Sequence, residues 1–345
     1  MTPSDRAALA VSARTLVVGC IGAALFTLIG FPAAVLTGPA FAVSLASILG
    51  LKTSIPLRLR DACFLVLGLS IGSTVTPEVI AGARAWPLSL LVLTVVLVIT
   101  LLFLKALLMR VFGFDRLTAL LAATPGHMSY IVSMSSALKV DLPSVALAQS
   151  VRVLLLTLIV PLIIGLSGAI GDGPPGAYSI IGVVPLVILF VAALVLGELF
   201  KRWSFPAALL LAGIAVSAVG HGSGVTPGAL PFWLTAAAFI TMGSLIGTRF
   251  NGVGGRDVLK GLSAGILGTV IACLFAGVGA LAGYHLVGLP PGALLLAFAP
   301  GGVEVMAALA VETGLEPAFV AAHHVFRLII LTFLVPFLIH RERAA

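Results

Sequence analysis

Leu120-Leu121-Ala122-Ala123-Thr124-Pro125-Gly126-His127-Met128-Ser129 and Leu295-Leu296-Ala297-Phe298-Ala299-Pro300-Gly301-Gly302-Val303-Glu304 follow one plan. Each is a short apolar run, broken by Pro-Gly and then resumed. Proline lacks the backbone N–H and clashes with the preceding turn, so each run must stop as a helix at that point. A longer apolar segment follows each copy and carries one arginine, Arg152 in the first case and Arg327 in the second. An offset of 175 residues relates Pro125 to Pro300, Arg152 to Arg327 and Pro161 to Pro336. The unit is therefore duplicated, and the remaining chain reads as its scaffold.

The 345 residues are 60% hydrophobic and only 9% charged, with a mean hydropathy of +1.24. A soluble domain is about 25% charged, so this composition belongs to a polytopic membrane protein. The net charge of +7 does not imply nucleic-acid binding, because the basic residues lie scattered in short loops between apolar runs. Cys20, Cys63 and Cys273 have no metal-ligand spacing and suggest no disulfide framework. Arg6 and Arg14 precede the first apolar run without a clear small-residue cleavage site, so that run is expected to be a retained span.

Apolar length predicts ten spans near 12–30, 32–49, 61–80, 87–109, 143–166, 178–200, 205–220, 231–249, 261–286 and 317–340. The broken units fall near 117–139 and 291–314. If each dips into the membrane and returns, with the N-terminus inside, sixteen of the nineteen Lys and Arg residues lie on the inner face. Only Arg84 is then outside, with Arg152 and Arg327 within the membrane. The expected fold is all-α, with about ten transmembrane helices, two re-entrant hairpins and two repeats, 12–166 and 178–340. Five crossings per repeat invert the second relative to the first. Both termini are then cytoplasmic, and the loop around Asp172 is outside. Further matches support the duplication. Phe31-Pro32-Ala33-Ala34 corresponds to Phe205-Pro206-Ala207-Ala208, and the Gly68/Gly72 pair to Gly243/Gly247. The glycine pairs are read as sites of close helix packing.

These motifs, together with Pro300-Gly301-Gly302-Val303-Glu304-Val305-Met306 and the arginine-bearing spans ending in Val-Pro, resemble the membrane AbrB family over nearly the whole chain. That family consists of bacterial integral membrane proteins with a duplicated module. Some carry an ammonia monooxygenase label and others a regulator label. The resemblance implies a multi-pass protein of the bacterial inner membrane. The first copy departs from the motif, with His127 in place of the second glycine and Ser129 in place of the glutamate. At fold level only, the predicted arrangement resembles elevator-type carriers of organic anions.

The residues that carry chemistry lie at the breaks and in the following helices. Pro125, Gly126, His127 and Ser129 form the first break, and Pro300, Gly301, Gly302 and Glu304 the second. Glu304 reads either as a coupling carboxylate or as a fixed ion-pair partner, since a bare carboxylate at that depth is costly. Arg152 and Arg327 read as anion-binding charges or as structural partners of the hairpin backbone. His323, His324 and Gln149, the counterpart of His324, read as a polar lining. Adjacent histidines diverge by about 100° on a helix, so no metal site and no cofactor are expected. Asp61, Asp115, Asp141, Glu312 and Glu316 read as solvated helix ends or caps. The expectation is a non-enzymatic secondary transporter of a small, anionic solute. Its partners are the lipid bilayer and that solute, with no direct nucleic-acid contact and homo-oligomerisation left open. A membrane-bound regulator of gene expression is the first alternative, and a membrane oxidase the second.

Overall fold

A computed structural model describes residues 3–125, 131, 134, 135, 138, 140–166, 168, 180–203, 205, 207–253, 256–288 and 290–344. Gly126, His127 and Ser129 lie outside the described residues. The described residues form helices α1 (Pro3–Leu28), α2 (Ala34–Ile48), α3 (Leu57–Gly72), α4 (Pro77–Gly82), α5 (Trp86–Phe112), α6 (Arg116–Ala123) and α7 (Leu142–Leu166). The second half has α8 (Val183–Arg202), α9 (Ala208–Gly222), α10 (Phe232–Gly247), α11 (Arg256–Val287), α12 (Pro291–Phe298), α13 (Val303–Thr313) and α14 (Pro317–Ala344). Both ends of α6 and α12 differ by 175, as do both ends of α3 and α10, while α2 and α9 differ by 174.

Among the described residues, six segments are long and apolar enough to cross a membrane: Arg6–Leu28, Pro77–Phe112, Leu142–Leu166, Val183–Arg202, Leu259–Leu286 and Pro317–Arg343. Helices α2 and α9 have 15 residues and α3 and α10 have 16. At 1.5 Å per residue these reach about 22–24 Å, short of a roughly 30 Å hydrocarbon core. The apolar windows therefore overstate these four elements. The window at 61–80, for example, runs across the end of α3 at Gly72 and into α4. That second helix has its own start signals, a Thr76 N-cap whose hydroxyl accepts from the Val79 N–H, and Pro77 in the first turn.

The chain forms two compact units. One comprises Met1–Arg84, Thr157–Gly252 and Ala307–Ala318; the other comprises Ala85–Leu156, Val253–Met306 and Phe319–Ala345. In the first unit, helices of the two halves exchange partners, α3 packing on α9 and α10 on α2. Glycine makes both contacts feasible. A Cβ on Gly68 would lie 2.3 Å from the Leu210 carbonyl oxygen, and one on Gly243 would lie 2.3 Å from that of Leu36. No side chain fits at such distances, so backbone meets backbone. The second unit contains α5, α6, α11, α12 and most of α7 and α14, and hence both Pro-Gly units up to Met306. Its core includes Leu101, Leu104, Leu120, Leu121 and Val335.

Gly243→Ala should destabilise the purified protein by roughly 1–3 kcal/mol, the usual effect of overpacking. Gly277→Ala, in a helix with open space around that position, should be neutral or stabilising by up to about 1 kcal/mol. Thermal unfolding of both variants in one detergent tests the pair. Equal shifts would contradict the close-contact assignment.

Candidate functional site

The α6 and α12 helices end where the chain reaches Pro125 and Pro300. In an uninterrupted helix, the N–H of residue 125 would bond the Leu121 carbonyl, and that of residue 300 the Leu296 carbonyl. Proline has no such N–H, so both oxygens lose their helical partner. A side chain from a later helix replaces it in each half. Gln149 Nε2 on α7 donates to Leu121 O at 2.9 Å, and His324 Nε2 on α14 lies 3.0 Å from Leu296 O. The arginines serve the next exposed carbonyls. Arg152 Nη2 donates to Thr124 O at 3.1 Å, and Arg327 Nη1 donates to Ala299 O at 2.7 Å. These four bonds obey the 175-residue offset on both donor and acceptor.

The two halves differ around this shared frame. Gln149 Nε2 also donates to Thr124 O at 2.9 Å, and its Oε1 accepts from Arg152 Nη2. Arg327 uses Nη2 on Gly301 O, on the far side of Pro300. Because a carbonyl can only accept, His324 carries its proton on Nε2 and its Nδ1 is a bare acceptor. That Nδ1 is buried with no partner among the described residues, and so are the Nε–H groups of Arg152 and Arg327.

All these side chains are buried; Arg152 is 5% exposed and Arg327 2%. A guanidinium at a helix C-terminus gains from the negative end of the helix dipole, which offsets part of its desolvation. Glu304 lies in the first turn of α13, where the dipole favours a carboxylate. It is 6% exposed, and its carboxylate lies over Gly302, where an added Cβ would sit 3.0 Å from Oε2. Gly302 thus leaves room for Glu304. Among the described residues Glu304 forms no ion pair within 4.0 Å. It nevertheless attracts Arg327, which Arg152 repels.

His323 turns away from His324. Its Nδ1 donates to Phe319 O at 2.9 Å, and its Nε2 is 2.8 Å from Ser89 Oγ. Its ring packs against Phe319, Phe298 and Trp86. The two histidines therefore do not converge, and no group of three potential metal ligands occurs among the described residues. Pro125 is buried at the end of the first arm.

Sequence reasoning missed Ser89, which has no distinguishing local pattern. Glu312, read as a solvated helix end or cap, accepts from the Val35 N–H at 2.8 Å, so it caps the start of α2, 277 residues away in sequence and a partner that the sequence did not identify. Asp115 and Asp141 do cap locally, accepting from Leu117 and Thr118 in one case and from Ser144 in the other.

Because Gln149 and His324 perform the same task, His324→Gln should preserve stability within about 1 kcal/mol. His324→Leu, which strands the Leu296 carbonyl, should cost roughly 1–3 kcal/mol. Thermal unfolding compares the two, and equal losses would show that the carbonyl bond is not what matters at this position.

A family model described as "Transition state regulatory protein AbrB" matches residues 35–342. A Bacillus subtilis (strain 168) protein described as "Uncharacterized protein YhjN" is 25% identical over 297 residues, covering 79% of this chain and 75% of its own length. An Escherichia coli (strain K12) protein described as "Putative regulator AbrB" is 26% identical over 314 residues, 88% of each chain. The family match takes in both Pro-Gly breaks, both arginines and the side chains that replace the missing helix bonds. The chain belongs to the AbrB family.

Proposed function

We propose that this protein is a secondary transporter of a small anion across the bacterial inner membrane. Ten crossings and two re-entrant hairpins lie in repeats of opposite orientation, with the short helices α2, α3, α9 and α10 crossing where the bilayer thins to match them. Both termini face the cytoplasm. The observation that carries the reading is the charge balance at the breaks. Two buried guanidiniums repel each other, the Glu304 carboxylate attracts Arg327, and each guanidinium keeps an N–H without an acceptor among the described residues. At low local dielectric, an excess positive charge with free donors favours an anion. Non-helical backbone at such depth is tolerated where protein or a wet cavity surrounds it.

The regulator reading has one point in its favour, the names carried by the family model and the Escherichia coli relative. It would require a cytoplasmic partner, while the inner loops of this chain are short and lack a sizeable binding module. An oxidase would need a dense His, Cys or carboxylate ligand set, and the six histidines are scattered. The reading is therefore of a non-enzymatic carrier, contacting lipid and solute and not nucleic acid.

Topology is tested with single cysteines at Ser223 and Arg341 in a background lacking Cys20, Cys63 and Cys273. An impermeant thiol reagent should reach Ser223 from outside and Arg341 from inside. Labelling of both from the same side contradicts the topology. Anion binding is tested by screening small organic and inorganic anions for thermal stabilisation, which a bound ligand produces by mass action. The stabilising anion is then measured on Arg152→Gln and Arg327→Gln. Loss of one such charge should weaken binding by about tenfold or more, equivalent to ~1.4 kcal/mol. Unchanged affinity in both folded variants would refute the anion site.

A further inference from the structure

The first unit contains a half-buried carboxylate, Glu312, whose contact plays no part in the bonding at the breaks. Glu312 lies at the end of α13 and reaches the N-terminus of α2. That helix begins directly after Ala33, which has φ 52°, a left-handed conformation that a residue with a side chain adopts only at a cost. Its first turn leaves N–H groups without helical partners. Glu312 Oε1 accepts one of them, from Val35, at 2.8 Å, while Oε2 is buried without a partner among the described residues. α2 contains no titratable residue. Burial and the backbone N–H groups of Val35 and Leu36 act in opposite directions on the carboxyl group. On its own element, Glu304 lies in the opposite, first turn. Glu316, just beyond, is exposed.

Two opposing forces therefore act on this group. Burial favours the neutral acid, while the helix N-terminus favours the anion. An ordinary cap needs no such balance, because a neutral Ser, Thr or Asn accepts an N–H equally well. The duplication makes the same point. The start of α9 repeats the local geometry, with Ala207 at φ 50°, yet the residue 175 positions before Glu312 is Ala137. Alanine has no side-chain acceptor, so the residue at the equivalent position cannot supply this bond to the start of α9.

We propose that Glu312 is a proton-binding site, occupied and vacated while Oε1 keeps its bond to α2, and that the coupling ion of this chain is H⁺. The second clause rests on the transporter reading, whereas the first does not. Protonation places a hydroxyl on Oε2, removes the buried charge and weakens the pull on the α2 N-terminus. Deprotonation restores both. The site can therefore link proton occupancy to the junction of α13 with α2.

The test uses the full chain in proteoliposomes, with Glu312→Gln as the main variant. Glutamine keeps an oxygen for Val35 and cannot titrate. Infrared difference spectra between acid and alkaline buffers should contain a carboxylic-acid C=O band that is absent from Glu312→Gln and shifted in Glu312→Asp. Identical bands in all three proteins would overturn the proton site. The second measurement is uptake of the anion found in the stabilisation screen, driven by an imposed pH gradient. Wild type should respond to the gradient, and Glu312→Gln should bind the anion but lose that response. An undiminished response in Glu312→Gln would overturn H⁺ coupling through this residue. If no anion is transported by wild type, the transporter reading fails while the infrared result still decides the proton site.

Discussion

A buried carbonyl oxygen deprived of its helical partner costs free energy unless another donor replaces it. The two prolines create that situation at Leu121 and Leu296, and the side chains of α7 and α14 resolve it. Donor and acceptor are 28 residues apart in all four bonds, from Gln149 and Arg152 in one half and from His324 and Arg327 in the other. The bonds fix the register of each broken arm against the helix that follows it. An arm of 8 residues, as in α6 and α12, is too short to be stable alone. Its position comes from tertiary contacts, the arginine and its neighbour among them.

The same bonds explain why a cation is tolerable there. Carbonyls at a helix C-terminus present partial negative charge, so each guanidinium meets a complementary field without a carboxylate at contact distance. This differs from a buried ion pair, in which two desolvated charges must offset each other's cost. Glu304 is then not needed to hold the arginine in place. Its position at the opposite helix end, on the N-terminal turn of α13, gives it separate support. Positive and negative groups are each stabilised locally by backbone.

Much of the fold was legible because the duplication repeats at a fixed offset. Pro125/Pro300 and Arg152/Arg327 locate two equivalent units without any structural knowledge. Helix ends were less legible, since hydropathy does not register an uncharged turn such as Ser73–Thr76. The arginines' partners were legible in principle. A proline four residues after a carbonyl marks an orphaned acceptor, and the side chains able to reach it are polar residues in an apolar helix. What no local pattern contains is Glu312 meeting Val35, a contact made only when segments 277 residues apart come together. The same holds for Ser89 and His323, 234 residues apart.

The positions at which the halves differ separate scaffold from chemistry. Prolines, arginines and close-packed glycines occur in both halves, as the requirements of a broken helix and of helix contact dictate. Several titratable groups do not. Ala137, Ala148, Gln149 and Ser129 stand opposite Glu312, His323, His324 and Glu304 across the offset, while His127 stands against Gly302, Lys139 against Gly314 and Asp115 against Pro290. Gln149 and His324 show that the scaffold role at this position needs a donor and not an imidazole. A neutral residue suffices for the backbone, so the imidazole and its unpartnered Nδ1 represent something added to the second half. A carrier of the proposed kind needs its frame twice, once for each face of the membrane, but its ion-binding groups need to occur only once. The pair Gln149 and His324 follows that division, since the neutral residue already performs the structural task of the ionisable one.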